Sequence, residues 1–199
     1  MTAFVAAVIE QLKATSPLEG VAVLLAVAYL WLAMRQSQWC WPAALVSTLL
    51  YVWLFYDVAL LSESLLNVYY MAMAVYGWWS WRQGTAGGKL PVNSRPLGWH
   101  LKVIGAGAAL SLAWGHLMAT HTQAAFPYLD AATSCFAVIT TWMVTRKVLE
   151  NWLYWIAIDG LSIWLYLQKD LAMTALLFVA YVLMAIAGYW SWRRALQPA

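Results

Sequence analysis

The sequence predicts an all-α polytopic membrane protein, with seven transmembrane helices arranged as two parallel three-helix repeats joined by a linker helix (3+1+3). Three observations lead to this fold class. Of the 199 residues, 64% are hydrophobic, against roughly 45–50% in a soluble domain. Charged residues make up only 10% and are separated by long uncharged runs, as is typical of chains that cross a membrane repeatedly. The chain also matches itself at a constant offset.

The uncharged runs divide into seven spans when they are measured against a membrane. A bilayer core of about 30 Å requires about 20 helical residues. On this scale the spans are predicted at residues 18–34, 39–56, 62–81, 99–120, 127–144, 149–168 and 171–192. Ahead of them, Phe4, Val5, Ile9 and Leu12 recur at helical spacing beside polar residues. This pattern predicts an amphipathic interfacial helix within residues 1–16.

The distribution of Lys and Arg predicts the orientation in the membrane. The connections after spans one, three and five and the C-terminal tail carry Arg35, Arg82, Lys89, Arg95, Lys102, Arg146, Lys147, Arg193 and Arg194, whereas the other face carries Lys13 and Lys169. Because cytoplasmic loops are enriched in basic residues, we expect the N-terminus outside and the C-terminus in the cytoplasm. The stretch 83–98, rich in Gly and Pro, is then a cytoplasmic linker.

The internal repeat appears at an offset of 111 residues (129 − 18). It aligns residues 18–82 with 129–193 without a gap, and about a third of the aligned positions are identical, including several paired tryptophans and arginines. Hence residues 17–82 and 126–194 are predicted to be the two repeats, and 99–121 the extra helix that keeps them parallel. Parallel repeats occur in transporters such as the SWEET proteins, with the substrate site at the repeat interface.

Several classes of function are excluded by what the sequence does not contain. It has no GxxxxGK[ST] phosphate-binding loop and no HExxH motif. Cys40 and Cys135 lack metal-ligand spacing. We therefore expect no metal, no cofactor and no enzymatic activity. Because the basic residues flank hydrophobic spans, they indicate topology and not a nucleic-acid partner.

Asp159 is the most informative polar residue, because an ionisable side chain inside a span is a functional candidate by default. It lies near the middle of span six, with Trp152, Trp155 and Ser162 on the same helical face. A carboxylate among aromatic rings favours an organic cation as ligand. A structural Asp bonded to a neighbouring helix and a proton relay remain alternatives.

A second polar stripe lies on span three and consists of Glu63, Asn67 and Tyr70. Thr48 and Tyr51 on span two are weaker candidates, since hydroxyl groups in membrane helices commonly bond to the backbone. The repeat aligns Asn67 with Phe178 and Asp159 with Thr48, as expected for one asymmetric ligand between two similar halves. The tryptophans near the cytoplasmic span ends, namely Trp39, Trp41, Trp78, Trp79, Trp81, Trp99, Trp190 and Trp192, are interpreted as interfacial anchors.

Three segments resemble the PnuC family of vitamin-precursor transporters: Phe126–Asp130, Thr145–Ile156 with its TRK-x-x-ENW-x-x-W pattern, and Tyr76–Trp78. The resemblance implies a SWEET-like 3+1+3 facilitator in the bacterial inner (plasma) membrane. Its partners would be a small-molecule vitamin, the lipid bilayer and a cytoplasmic kinase that traps the substrate, while a homo-oligomer is left open. By position, Trp152, Trp155, Asp159 and Asn67 would contact the ligand.

Two positions depart from the branch that transports nicotinamide riboside, which is expected to carry an amide at Asp159 and Gln at Asn67. An acid suits an aminopyrimidine better than a carboxamide, so the sequence favours thiamine slightly, with nicotinamide riboside as the alternative. A membrane-embedded sensor or enzyme that uses Asp159 is the alternative from another class.

Overall fold

The computed structural model describes residues 2–57, 61–83 and 90–196, without the side chains of residues 2, 3, 55, 57 and 61–64. Its regular structure is helical. The described part contains eight α-helices: α1 Thr2–Ala14, α2 Pro17–Met34, α3 Cys40–Asp57, α4 Leu61–Arg82, α5 Leu97–His121, α6 Pro127–Thr145, α7 Asn151–Gln168 and α8 Ala172–Ala195.

Local sequence signals set where these helices begin and end. The Ser16 hydroxyl accepts a hydrogen bond from the backbone N–H of Glu19, and Pro17 occupies the first turn of α2. Both are standard features of helix N-termini. Just beyond the ends of α2, α6 and α7, residues Gln36, Lys147 and Asp170 have φ values of 53°, 49° and 56°. Such left-handed residues terminate a helix and turn the chain back.

A helix occupies every predicted span, with ends that agree within three residues. The helix expected near the N-terminus is present as α1. Three helices, α2, α5 and α8, are long and apolar enough to cross a membrane. The α3 helix adds a shorter apolar stretch at Cys40–Leu54. Membrane crossing by the helices other than α2, α5 and α8, and the 3+1+3 topology, stay predictions.

The two predicted repeats make the same contacts. Within the first, α3 packs on α2 and α4, and within the second, α7 packs on α6 and α8. Between them, α2 packs on α8 and α4 packs on α6. Because the first helix of each repeat contacts the third helix of the other, the halves are related by approximate two-fold symmetry.

Glycines allow the tightest of these contacts. Gly77 of α4 lies against the indole of Trp41, and Gly188 of α8 lies against the indole of Trp152. Both glycines and both tryptophans are 111 positions apart, as in the alignment. A Cβ atom at either glycine would overlap the ring, so the packing of α3 on α4 and of α7 on α8 requires glycine.

The helices α2, α4, α6 and α8 end at one pole of the bundle, called here the basic end, which carries Arg35, Arg82, Arg146 and Arg193. Three tryptophans expected to be interfacial anchors at this end are buried: Trp41, Trp81 and Trp192 are at most 3% exposed. The anchor interpretation is wrong for these three, because the repeats pack their indoles against one another. Trp39, Trp79 and Trp190 are exposed, as anchors would be.

The α5 helix packs on α6, outside the two repeats. The linker before it is ordered by Asn93, whose side-chain amide donates to the Arg146 carbonyl at 2.7 Å. Its backbone N–H donates to the Lys147 carbonyl at 3.0 Å, and its carbonyl accepts from Leu149 at 2.7 Å. Residues 90–96 are thereby bound to the connection between α6 and α7, while residues 84–89 of the predicted linker lie outside the described residues.

Candidate functional site

A cavity of about 200 Å³ lies between the first repeat and one face of the second. The first repeat supplies most of its polar wall, with Tyr29 from α2, Ser47, Thr48 and Tyr51 from α3, and Asn67 and Tyr70 from α4. The second repeat closes it with Thr141 from α6 and Trp155 from α7. Every described residue that lines this cavity is neutral.

Four indoles separate the cavity from the basic end. This four-tryptophan cluster consists of Trp41, Trp81, Trp152 and Trp192. Ring centroids are 5.1 Å apart for Trp41 and Trp81, 6.0 Å for Trp81 and Trp192, and 5.3 Å for Trp152 and Trp192. All three pairs meet edge to face, a favourable arrangement for aromatic rings. Trp41 is the member of the cluster that lines the cavity, and the other three indoles pack behind it toward the basic end.

A lysine lies on the other side of this cluster. Lys147 is buried, its ammonium group is 4.5 Å from the centre of the Trp81 ring, and it donates to the Gln36 side chain at 3.1 Å. Gln36 and Lys147 are equivalent residues of the two repeats. A cationic ligand in the cavity is therefore separated from the lysine by the indoles.

The serine and threonine hydroxyl groups of the cavity wall are held by the backbone. Ser47 donates to the Ala22 carbonyl at 2.9 Å, and Thr48 donates to the Ala44 carbonyl at 2.8 Å. This confirms the expectation that hydroxyls in these helices bond to the backbone. A hydroxyl that donates in this way keeps its oxygen as an acceptor, so the wall can still accept hydrogen bonds from a ligand.

Five of the predicted binding residues meet at this cavity: Asn67, Tyr70, Thr48, Tyr51 and Trp155. Three others lie outside its lining. Trp152 belongs to the four-tryptophan cluster, Ser162 donates to its own helix at the Ile158 carbonyl, and Asp159 lies one turn beyond Trp155. The side chain of Glu63 falls outside the described residues.

Sequence reasoning missed Trp41, Tyr29 and Thr141 as lining residues. The repeat contained a signal for Trp41, because it aligns with Trp152, which had been assigned to the site. Nothing in the sequence pattern of α2 or α6 distinguishes Tyr29 or Thr141 from other residues of the buried faces. Their place in the wall depends on which helices meet around the cavity.

The cavity takes most of its lining from the first repeat, and the two repeats differ in side-chain volume around it. Trp155 of the second repeat occupies the position of Ala44 in the first. Phe178 likewise replaces Asn67, and its ring contacts Tyr166 and Tyr181 with centroids 4.9 and 5.4 Å away. Aromatic side chains thus fill space in the second repeat that small and polar side chains leave open in the first.

A larger depression of about 390 Å³ lies between α5, α6 and α7. Its lining is almost wholly apolar, including Ile104, Phe136, Leu153 and Leu161, and it opens sideways from the bundle. None of the predicted site residues lines it. An apolar groove on the side of a membrane protein faces lipid chains, so the smaller polar cavity is the candidate functional site.

Comparison with known proteins shows similarity along nearly the whole chain. Residues 16–194 match the family described as nicotinamide mononucleotide transporter. The riboflavin/roseoflavin transporter RibM of Streptomyces davaonensis is 26% identical over 173 residues, covering 85% of this chain and 81% of RibM. The nicotinamide riboside transporter PnuC of Escherichia coli is 21% identical over 174 residues, covering 74% and 73%.

A solved structure shows the same fold. The crystal structure of the vitamin B3 transporter PnuC superimposes with a TM-score of 0.76 at 21% identity, covering 96% of this chain and 87% of that one. The resemblance to this family expected from the sequence is confirmed. The match of residues 16–194 covers far more than half of the chain. This chain belongs to the nicotinamide mononucleotide transporter family, the family of the PnuC vitamin transporters.

Proposed function

We propose that this protein transports nicotinamide riboside, or a nucleoside-like vitamin of similar size, by facilitated diffusion. The observation that carries the proposal is the neutral, aromatic and polar cavity between the two repeats. It contains three tyrosines, Asn67 and two tryptophans. Sites for small molecules commonly combine an apolar and aromatic wall with a few polar groups that orient the ligand.

Each part of nicotinamide riboside has a chemical counterpart in this wall. The pyridinium ring is a flat cation, which Trp155 and Trp41 can bind through cation–π attraction. The carboxamide needs one donor and one acceptor, and the Asn67 amide offers both. The ribose hydroxyls match the hydroxyl groups of Tyr70 and Thr48. The wall thus suits the whole molecule without requiring a charged residue.

Cavity size favours a nucleoside over a flavin. A volume of about 200 Å³ is below the roughly 300–1,000 Å³ typical of sites for drug-sized ligands. Riboflavin has three fused rings and a ribityl chain, whereas nicotinamide riboside has one aromatic ring and one sugar. We therefore do not propose that this protein transports riboflavin, the substrate named for its relative RibM.

The thiamine preference expected from the sequence has lost its main support. It assumed that Asp159 contacts the aminopyrimidine inside the site, but Asp159 does not line the cavity. Asn67, whose side-chain amide can pair with a carboxamide, does line it. Relatives named as nicotinamide riboside transporters also favour that alternative.

We further propose that α2–α8 cross the inner membrane with the N-terminus outside, and that a cytoplasmic kinase traps the substrate. The sequence has no ATPase loop, so the protein would only equilibrate its ligand. A membrane-embedded enzyme that uses Asp159 is less favoured. Among the side chains that the structure describes, Asp159 is the one buried carboxyl group, whereas acid–base catalysis commonly uses a second catalytic group.

The decisive experiment is uptake into proteoliposomes that contain the purified protein. Labelled nicotinamide riboside should enter until the inner and outer concentrations match, with no response to a proton or sodium gradient. An internal unlabelled pool should accelerate entry of the label. Accumulation above equilibrium, or transport of riboflavin but not nicotinamide riboside, would contradict the proposal.

Substitutions at two neighbouring residues test whether transport takes place through the cavity. Asn67→Leu removes the amide from the cavity wall and should weaken binding about tenfold, equivalent to the roughly 1.5 kcal/mol of a hydrogen bond. Val68→Leu is the control, because Val68 lies on the exposed side of the same helix. Equal uptake by both variants would show that the cavity is not the transport site.

A further inference from the structure

The repeat equivalence places Asp159 on the opposite side of the symmetry axis from the cavity, at the same level along the bundle axis. Its equivalent in the first repeat is Thr48, which lines the cavity. Asp159 is 5% exposed and follows Trp155 by one helical turn on α7, on the side away from the four-tryptophan cluster. A ligand that approaches from the end opposite the basic end therefore passes the level of Asp159 before it contacts that cluster.

The neighbours of Asp159 join it to the cavity wall. The Tyr181 hydroxyl of α8 lies within electrostatic range of both the Asp159 carboxyl group and the Tyr51 hydroxyl. Tyr51 itself lines the cavity. Asp159 of α7 and Tyr181 of α8 thus lie on two helices that pack on each other, near the part of the cavity wall that Tyr51 supplies.

Among the described residues, none forms a hydrogen bond or a salt bridge with the Asp159 carboxyl group. Lys169, at the end of α7, donates to Asp130 at 2.9 Å. Lys147 lies beyond the four-tryptophan cluster, beside Gln36 and Trp81. A carboxylate in the membrane interior is unfavourable unless a positive charge lies near it.

We propose that Asp159 selects substrates with a permanent positive charge, such as N-alkylated heteroaromatic rings, over neutral molecules of the same shape. The ligand itself would supply the missing partner of the carboxylate when it occupies the cavity. This proposal rests on the proposed transport function and defines its substrate class more narrowly. Asp159 would act through charge at the edge of the cavity, while the neutral wall recognises shape and hydrogen bonds.

The test compares a cation with its neutral isostere. Nicotinamide riboside and its reduced dihydro form share the ribose and the carboxamide, but only the first has a charged ring. Purified protein in lipid nanodiscs is titrated with each, and binding is measured by calorimetry. We expect the wild type to bind the cation at least tenfold more tightly. Asp159→Asn should remove most of this preference by weakening the cation alone.

Two further variants separate charge from structural damage. Asp159→Glu keeps the carboxylate and should keep the preference for the cation. Asp170→Asn makes the same chemical change at an exposed position beyond α7 and should also keep it. The proposal is wrong if the wild type binds both ligands equally, or if Asp159→Asn weakens both by the same factor.

Failure of the transport proposal can be recognised separately. If the wild type binds neither form of nicotinamide riboside, that substrate is wrong, and the comparison is repeated with thiamine and its neutral analogue deazathiamine. Loss of the preference for charged thiamine in Asp159→Asn would still support the role of Asp159. Proton-driven uptake that disappears in Asp159→Asn would instead identify a proton carrier and overturn the proposal.

Discussion

Trp81 and Trp192 contact each other edge to face, with ring centroids 6.0 Å apart, and each bonds to the opposite repeat. The Trp81 indole donates to the Val144 carbonyl at 3.2 Å, and the Trp192 indole donates to the Ala33 carbonyl at 2.9 Å. Both donors and both acceptors are equivalent positions of the repeats. The interface between the repeats is therefore held by a reciprocal pair of hydrogen bonds.

This reciprocity predicts matched losses of stability. Trp81→Phe and Trp192→Phe each remove one buried indole donor. The two acceptor carbonyls keep backbone donors, Lys147 N–H at Val144 and Gln36 N–H at Ala33, so each change should cost about 0.5–1.5 kcal/mol. Thermal unfolding in detergent should show similar decreases for the two variants. Trp79→Phe is the control, because Trp79 is exposed on the same helix as Trp81. A large effect at only one of the two buried indoles would contradict the symmetric interface.

The glycine contacts predict a second pair of equivalent effects. Gly77→Ala and Gly188→Ala would each place a methyl group inside the van der Waals surface of an indole. Such overpacking should cost about 1–3 kcal/mol, measurable as a lower unfolding temperature. Gly105→Ala meets no atom within 4 Å and should be neutral or slightly stabilising. If Gly77→Ala were as stable as Gly105→Ala, α3 and α4 would not pack as described.

Trp155 should control both affinity and cavity size. Trp155→Ala restores the small residue that the first repeat has at Ala44, so the cavity should extend into the second repeat. Loss of the aromatic face should weaken nicotinamide riboside binding by about 0.5–2 kcal/mol, while larger ligands such as riboflavin should bind better. Calorimetry on both ligands measures this change. Trp53→Ala, at an exposed position of α3, should alter neither affinity.

The orientation in the membrane can be measured with an impermeant thiol reagent added to intact cells. The native thiols at Cys40 and Cys135 are first replaced by alanine. A single cysteine at Thr122 should then react, because we expect the connection between α5 and α6 to face outward. A cysteine at Thr85, in the predicted cytoplasmic linker, should react only after the cells are opened. Labelling of Thr85 in intact cells would reverse the proposed topology.

Helix positions were predictable because hydrophobic runs and turn residues are local properties of the chain. The left-handed residue after α2 and that after α6, Gln36 and Lys147, are equivalent in the repeat. The docking of Asn93 on the connection between α6 and α7 was not predictable. Its hydrogen bonds join residues more than fifty positions apart in the chain, and neither segment has a periodic pattern that indicates the other.

The sequence by itself determined the helices, the internal repeat, the family and five residues of the cavity wall, because periodicity and alignment show which faces are equivalent. Tertiary structure decided which helices surround the cavity and that Trp41 lines it. It also placed Asp159 outside the lining, one helical turn from Trp155. The physical reason is side-chain volume at the contact between the repeats. Trp155 and Phe178 fill the second repeat, and only packing shows which space the smaller Ala44 and Asn67 leave open.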